Sequence, residues 1–120
     1  MATVTQYTAF RSALSGLVMA LSAYMNDPNT GDADSNAALS VDKSVDSYLT
    51  RIGQFQVEQF DGTKLDTAAK AVQAVTTFVK NGAGTVGGSA IVKTWAGARP
   101  AVENAIPGLT AVQALSAIPP

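Results

Sequence analysis

Residues 7–24 read YTAFRSALSGLVMALSAY, and the spacing of their large apolar side chains is typical of an amphipathic helix. These side chains recur at alternating steps of three and four residues, which is the spacing that lines one side of an α-helix. Thr3 and Gln6 form a T-x-x-Q capping box in front of the run. The sequence therefore predicts a helix over residues 4–26 whose buried seam consists of Tyr7, Phe10, Leu14, Leu17, Leu21 and Tyr24.

Two later segments repeat the same rhythm. One is predicted to form a helix over residues 40–60, capped by Ser40, with the seam Val41, Val45, Tyr48, Ile52 and Phe55. The next is predicted over residues 63–81, capped by Thr63, with the seam Leu65, Ala68, Val72, Val75 and Val79. Turn-forming residues at 26–36 and 60–63 separate the segments. Three antiparallel helices with short connections predict an all-α, three-helix bundle.

The helical rhythm weakens after a glycine run at residues 82–88. We therefore divide the chain, within a single domain, into a bundle (1–81), a Gly-rich hinge (82–88) and a C-terminal arm of short helices (89–120). The arm is predicted either to pack on the bundle as a further layer or to reach a neighbouring molecule.

Within the arm, residues 89–98 fit a helix or a strand, since their apolar side chains suit either period. Pro100 suits the first position of a short helix that ends near Ile106, because proline is well tolerated there. A last short helix is predicted over residues 109–117.

Gly82, Gly84 and Gly87 match the G-x-G-x-x-G spacing of dinucleotide-binding loops. Such a loop must follow a strand and begin a helix, so that backbone N–H groups face the phosphates. Here the glycines follow a predicted helix and no βαβ unit surrounds them. The pattern therefore predicts a flexible connector with a helix C-cap rather than a nucleotide site.

The composition argues against catalysis. The chain has no cysteine and no histidine, which removes thiolate chemistry, the commonest zinc ligand and the usual general base. We therefore predict a protein that is not an enzyme and has no cofactor. Asp32 and Asp34 are spaced as in a calcium loop, but Ala37 and Lys43 occupy positions that need glycine and glutamate, which favours a solvated turn.

The charge content points to partners. Charged residues make up 14% of the chain, against roughly a quarter in a typical soluble domain, so much of the surface is predicted to be covered by other molecules. The net charge of −1 offers no basic patch for nucleic acid. We expect the interface to include aromatic and apolar side chains of the arm, namely Trp95, Arg99, Ile106, Leu109, Val112 and Leu115.

The tripeptide at residues 95–97, Trp-Ala-Gly, resembles the turn signature of the W-x-G family of small secreted helical hairpins. In that family the tripeptide joins two long helices near mid-chain, whereas here it lies late in the chain and prolines follow it. The residues themselves favour Trp95 as a packing anchor or an interface residue.

Residues 12–26 are uncharged but shorter than the roughly twenty residues of a spanning helix, and only Arg11 precedes them as a basic residue. We therefore expect neither a membrane segment nor a signal peptide.

Together these features predict a structural subunit of a self-assembling particle. The most natural setting is a bacteriophage or virion, in the capsid, tail or an accessory layer, assembled in the host cytoplasm from copies of this chain and other particle proteins. Two alternatives stay open. One is a soluble adaptor or effector that binds a partner protein in a groove of the bundle, and the other is a membrane-active helical protein.

Overall fold

Four α-helices make up most of what the computed structural model describes, which is residues 2–82 and 88–106. They are α1 (Val4–Met25), α2 (Asp32–Ile52), α3 (Gly62–Lys80) and α4 (Gly88–Ala105), with a short 3₁₀ turn at Val57–Gln59. The described ranges contain no strand. The predicted all-α bundle is confirmed, and residues 89–98 are helical.

The helices form a four-membered bundle in which α1 and α4 each pack against both α2 and α3. Gln6 and Asp66, near the starts of α1 and α3, are hydrogen-bonded, and Ala20 and Val79, near their ends, line one groove, so α1 and α3 are parallel. Tyr48 contacts Glu103 late in α4, so α2 and α4 are parallel as well. The connection over residues 53–61 consequently crosses the bundle from α2 to the diagonally opposite α3.

An aromatic cluster anchors this crossing connection. The buried Phe60 ring lies 5.7 Å from the ring of Tyr7 and 5.9 Å from that of Phe55, measured between centroids. Aromatic pairs at such separations add to the free energy gained from burial. The cluster therefore fixes the connection against the beginning of α1.

The predicted capping box begins α1, and both of its hydrogen bonds are present. The amide N–H of Thr3 donates to Gln6 Oε1 at 2.9 Å, and Gln6 N–H donates to Thr3 Oγ1 at 3.1 Å. Gln6 Nε2 also donates to Asp66 Oδ2 of α3 at 3.0 Å. Gly62 permits this close approach, because a Cβ there would lie 2.6 Å from Gln6 Oε1.

The predicted bounds of α2 were wrong at both ends. The helix begins at Asp32 rather than at residue 40, because Asp32 and Asp34 occupy the first turn, where carboxylates favour the helix dipole. It ends at Ile52 rather than at residue 60, with Gly53 as the C-cap. The seam residues Val41, Val45, Tyr48 and Ile52 are buried as predicted.

The predicted seam of α3 is buried throughout, but Asp61 rather than Thr63 caps the helix. The Asp61 carboxylate accepts a hydrogen bond from the amide of Lys64 at 3.1 Å, which lowers the pKa of that carboxyl below its usual value. Beyond the other end of α3, Gly82 has φ 118°, a conformation that favours glycine. The predicted helix C-cap is thus present, while Gly84 and Gly87 lie outside the described residues.

The prediction of a break before Pro100 was wrong, since α4 is continuous and Pro100 lies inside it. The buried side chains of α4 follow the same spacing as the other seams, and they are Ile91, Trp95, Ala98, Val102 and Ala105. Pro100 has no backbone N–H, so the carbonyl of Ala96 lacks its usual helical hydrogen bond. Both residues are exposed, so water can donate to that carbonyl instead. Packing of the seam therefore outweighs the missing hydrogen bond, and residues 88–106 form a further layer of the bundle.

Candidate interaction surface

The residues predicted for an interface fall into three groups. Trp95 and Ile106 are buried in the chain's own core. Arg99 is half-buried and forms an ion pair with Glu103, Nε to Oε1, at 3.2 Å. Leu109, Val112 and Leu115 lie outside the described residues. Any docking through Trp95 would consequently require α4 to leave the bundle.

Trp95 belongs to a cluster that joins α4 to α2. Its ring lies 5.9 Å from the Tyr48 ring at an interplanar angle of 58°, and the Tyr48 hydroxyl donates to Glu103 Oε1 at 3.3 Å. The buried indole N–H of Trp95 has no hydrogen-bond partner among the described residues. The tripeptide 95–97 lies within α4 rather than in a turn. This cluster supports the fold and offers no open site.

From residue 12 to its end, the outward side of α1 is exposed and uncharged. We call it the α1 face and define it by the exposed side chains Ser12, Ser15, Met19 and Ala23. Met19 is 73% exposed, the highest value among the described large hydrophobic side chains. Arg11 is the only charged residue in α1, and the next one along the chain is Asp27. The face thus combines small side chains with one protruding thioether.

A groove of about 650 Å³ adjoins the α1 face, between the second half of α1, the loop 26–31 and the end of α3. Its apolar wall includes Met19, Ala23 and Val79, and its polar rim includes Asp27 and Lys80. Gly16 lines the near end of the groove. No described heavy atom lies within 4 Å of the position that a Cβ would take on this glycine.

Tyr24 holds the wall of this groove in place. Burial raises the pKa of its phenol, and the negative charge of Asp34 raises it further, so the phenol is neutral at neutral pH. The Thr30 hydroxyl donates to the Tyr24 carbonyl at 2.7 Å. The contact of Thr30 ties the loop 26–31 to α1, and Tyr24 itself lies near Asp34 of α2.

The described residues form neither a metal-binding cluster nor a membrane-spanning helix. Residues 2–82 and 88–106 hold no group of three or more metal-ligating side chains. Asp32 and Asp34 lie in the first turn of α2 rather than in a calcium-binding loop. Within the same ranges, no helix is both long enough and apolar enough to span a bilayer.

The sequence interpretation missed Gly16, Met19 and Ala23. The signal was present, because residues 12–26 carry no charge, but we weighed that stretch only as a membrane or signal segment. Projecting α1 onto a helical wheel separates Met19 and Ala23 from the buried seam, since they lie four residues apart on the opposite side. The missing information was which helices would cover that side.

Comparisons of the chain with known protein families, curated protein sequences and solved structures find no match. A functional conclusion must therefore come from the surface itself.

Proposed function

We propose that the protein is a non-enzymatic structural subunit that assembles with copies of itself, as a component of a phage or virion particle. The observation that carries the proposal is the α1 face, an exposed helix side without charge on which Met19 protrudes beside an open groove. The proposed location is the virion, in the capsid, tail or an accessory layer.

The side chains of the α1 face suit repeated contact between proteins. Serine and alanine lose little rotamer entropy on burial, so ordering them costs less than ordering lysine or glutamate. Without charged groups, no ion has to be desolvated when the face is covered. Methionine adapts its shape to the surface that it meets. A partner can therefore cover this face at low free-energy cost.

A second contact is proposed for residues 107–120, which contain no charged side chain. The docking arm was predicted over residues 89–120. Because residues 88–106 belong to the bundle, we propose only residues 107–120 as the docking arm. Leu109, Val112 and Leu115, spaced three residues apart, remain the proposed contacts within this segment. Two separate contact regions would allow one subunit to touch more than one neighbour, as a repeating particle requires.

The groove favours a second candidate function. Its volume of about 650 Å³ and its apolar wall, with Asp27 and Lys80 on the rim, also suit the binding of an amphipathic helix from another protein. In that case the chain would act as a monomeric adaptor. The two functions differ in what purified protein does without a partner.

Negative-stain microscopy and light scattering of the purified full-length chain test the proposal. We expect ordered particles, filaments or discrete oligomers, and we expect a variant ending at residue 106 to remain helical but to assemble less. A chain that stays monomeric, and captures one distinct protein through the groove, would support the adaptor and overturn the structural subunit.

A further inference from the structure

We infer that two copies of the chain meet through their α1 faces as an antiparallel pair of helices, with Met19 of each copy placed over Gly16 of the other. The inference rests on the proposed function, since it requires that copies associate. To the proposed self-assembly it adds the surface through which two copies meet, the antiparallel direction of their helices, and the residues that lie opposite each other.

The shape of the face provides both halves of the contact. Met19 is 73% exposed and projects from the helix. Gly16 precedes it by three residues, has no side chain, and has no atom of the described part of the chain within 4 Å of where a Cβ would lie. A protruding side chain and an adjacent hollow on one helix let each of two copies fill the hollow of the other.

A single axis satisfies several pairs at once. A two-fold axis midway between Gly16 and Met19 places Gly16 opposite Met19, and it also places Ser12 opposite Ala23. Both pairs are symmetric about that axis, as a contact made by the same patch on both subunits requires. Small side chains then meet small side chains on either side of the methionines, which allows a close approach of the two helices.

The charges at the ends of the face select the antiparallel direction. Arg11 precedes the uncharged stretch and Asp27 follows it, and both are exposed. About this axis Arg11 lies level with residue 24 of the second copy, three residues before Asp27, which corresponds to about 4.5 Å of helix rise. The antiparallel pair thus brings opposite charges together at both ends, whereas a parallel pair would place like charges side by side.

The expected contact is weak when it acts alone. One pair of helices covers less area than the roughly 1,200 Å² of a small stable interface. We therefore expect a dimer that dissociates on dilution, as suits a subunit held by several contacts. Covalent trapping is the appropriate primary test.

The absence of cysteine makes that trapping specific. Full-length Ser12→Cys and Ala23→Cys variants, one carrying a size tag, are mixed and treated with a short bis-maleimide. We expect linked tagged–untagged pairs to exceed links between two Ser12→Cys chains or two Ala23→Cys chains. Gln73→Cys, at an exposed position on α3, is the control and should give little linkage.

A charge placed on the face gives an independent readout. Met19→Arg should raise the dimer dissociation constant about tenfold or more, because the guanidinium would be buried against an uncharged surface. Leu39→Arg is the matched control, since Leu39 is an exposed hydrophobic residue of α2 outside the α1 face. Arg11→Asp and Asp27→Arg should each weaken association at low salt, and the double variant should restore it.

The outcomes separate this inference from the proposed function. If the unmodified chain assembles, but the mixed cysteines do not link and Met19→Arg behaves as Leu39→Arg does, the antiparallel contact is overturned and the structural subunit stands. A chain that is monomeric at every concentration overturns both. If the full-length chain stays monomeric and dimers form only after residues 107–120 are removed, that segment covers the α1 face in the full-length chain. The inference that two copies meet there is then overturned.

Discussion

Trp95 shows how one side chain can serve the fold in a position where sequence suggests an interface. An exposed-interface interpretation follows from its size and its place in an irregular segment, yet the ring packs against Tyr48 between α2 and α4. Spacing alone could have indicated the core, because Ile91, Trp95, Ala98 and Val102 step as the other seams do. Pro100 led to a different prediction, because proline is usually found at the start of a helix rather than inside it.

Replacing Trp95 should measure how firmly α4 is held. Trp95→Ala is expected to lower the free energy of unfolding by about 3–5 kcal/mol, because it leaves a large cavity. Trp95→Phe should cost less, since it keeps an aromatic ring and removes a buried N–H that has no partner among the described residues. Urea unfolding followed by circular dichroism compares them. An alanine variant as stable as the original chain would show that α4 does not depend on this side chain.

Asp42 should make stability depend on pH. Burial raises the pKa of its carboxyl, and the charge of Asp46 raises it further, so the folded state favours the protonated form. Stability is therefore gained as the pH falls through the raised folded-state pKa toward the ordinary value of 3.8. Asp42→Asn should raise the free energy of unfolding at neutral pH. The difference in stability between the variant and the original chain should shrink as the pH falls from the raised pKa toward 3.8. Melting temperatures across the acid range test this.

Asp61 should change stability with pH in the direction opposite to Asp42, because its pKa is lowered rather than raised. A backbone hydrogen bond from Lys64 lowers the pKa of its carboxyl, so its contribution is present above the ordinary aspartate pKa and is lost as the pH falls through the lowered value. Asp61→Ala should therefore cost most at neutral pH. If both variants changed with pH in the same direction, the assignment of these two pKa shifts would be wrong.

For the individual helices, the buried seams could be predicted from sequence more accurately than the residues at which each helix begins and ends. Apolar spacing located α1, α2 and α3 because a buried face imposes its period on the sequence. The start of α2 was missed because aspartate, serine and asparagine favour both turns and first helical turns. The end of α1 and the cap at Thr3 were predicted well, since proline, glycine and a capping box leave little choice.

Pro100 tests whether α4 is continuous in solution. In the interior of a helix, proline removes one hydrogen bond and crowds the preceding turn. Pro100→Ala should therefore raise the free energy of unfolding, by about 1–2 kcal/mol after the greater freedom of the unfolded chain is subtracted. If Pro100 instead began a short helix, the same change would have no effect or would destabilise. Thermal unfolding of the two proteins distinguishes these cases.

Gly62 tests the contact between α1 and α3. A methyl group there would meet Gln6 Oε1, so Gly62→Ala should displace the glutamine side chain and cost about 1 kcal/mol. In a Gln6→Ala background the glycine substitution should cost less, which a double-mutant cycle measures. Gly97→Ala is the matched control, because no atom of the described residues lies within 4 Å of the position that its Cβ would take, and α4 should be slightly stabilised. Equal effects of Gly62→Ala in both backgrounds would contradict this assignment.

For the whole molecule, sequence predicted the fold class and left open whether the C-terminal part packs on the bundle as a further layer, but it did not reveal the open side of the bundle. Periodicity shows that a helix has a buried face, but it does not show how many neighbours surround the helix. The described packing places α2 and α3 against α1, and α4 on the far side of both. From residue 12 onward, the outer side of α1 is thus left uncovered by the described residues, and it carries no charge. That combination supports the proposed self-association.

Sedimentation velocity of the full-length chain, from micromolar to millimolar concentration, measures whether its copies associate. Self-association through the α1 face predicts an average mass that rises above that of the monomer with concentration, and a Met19→Arg variant whose rise is shifted to higher concentration. A single monomeric species at every concentration, identical for both proteins, would contradict it.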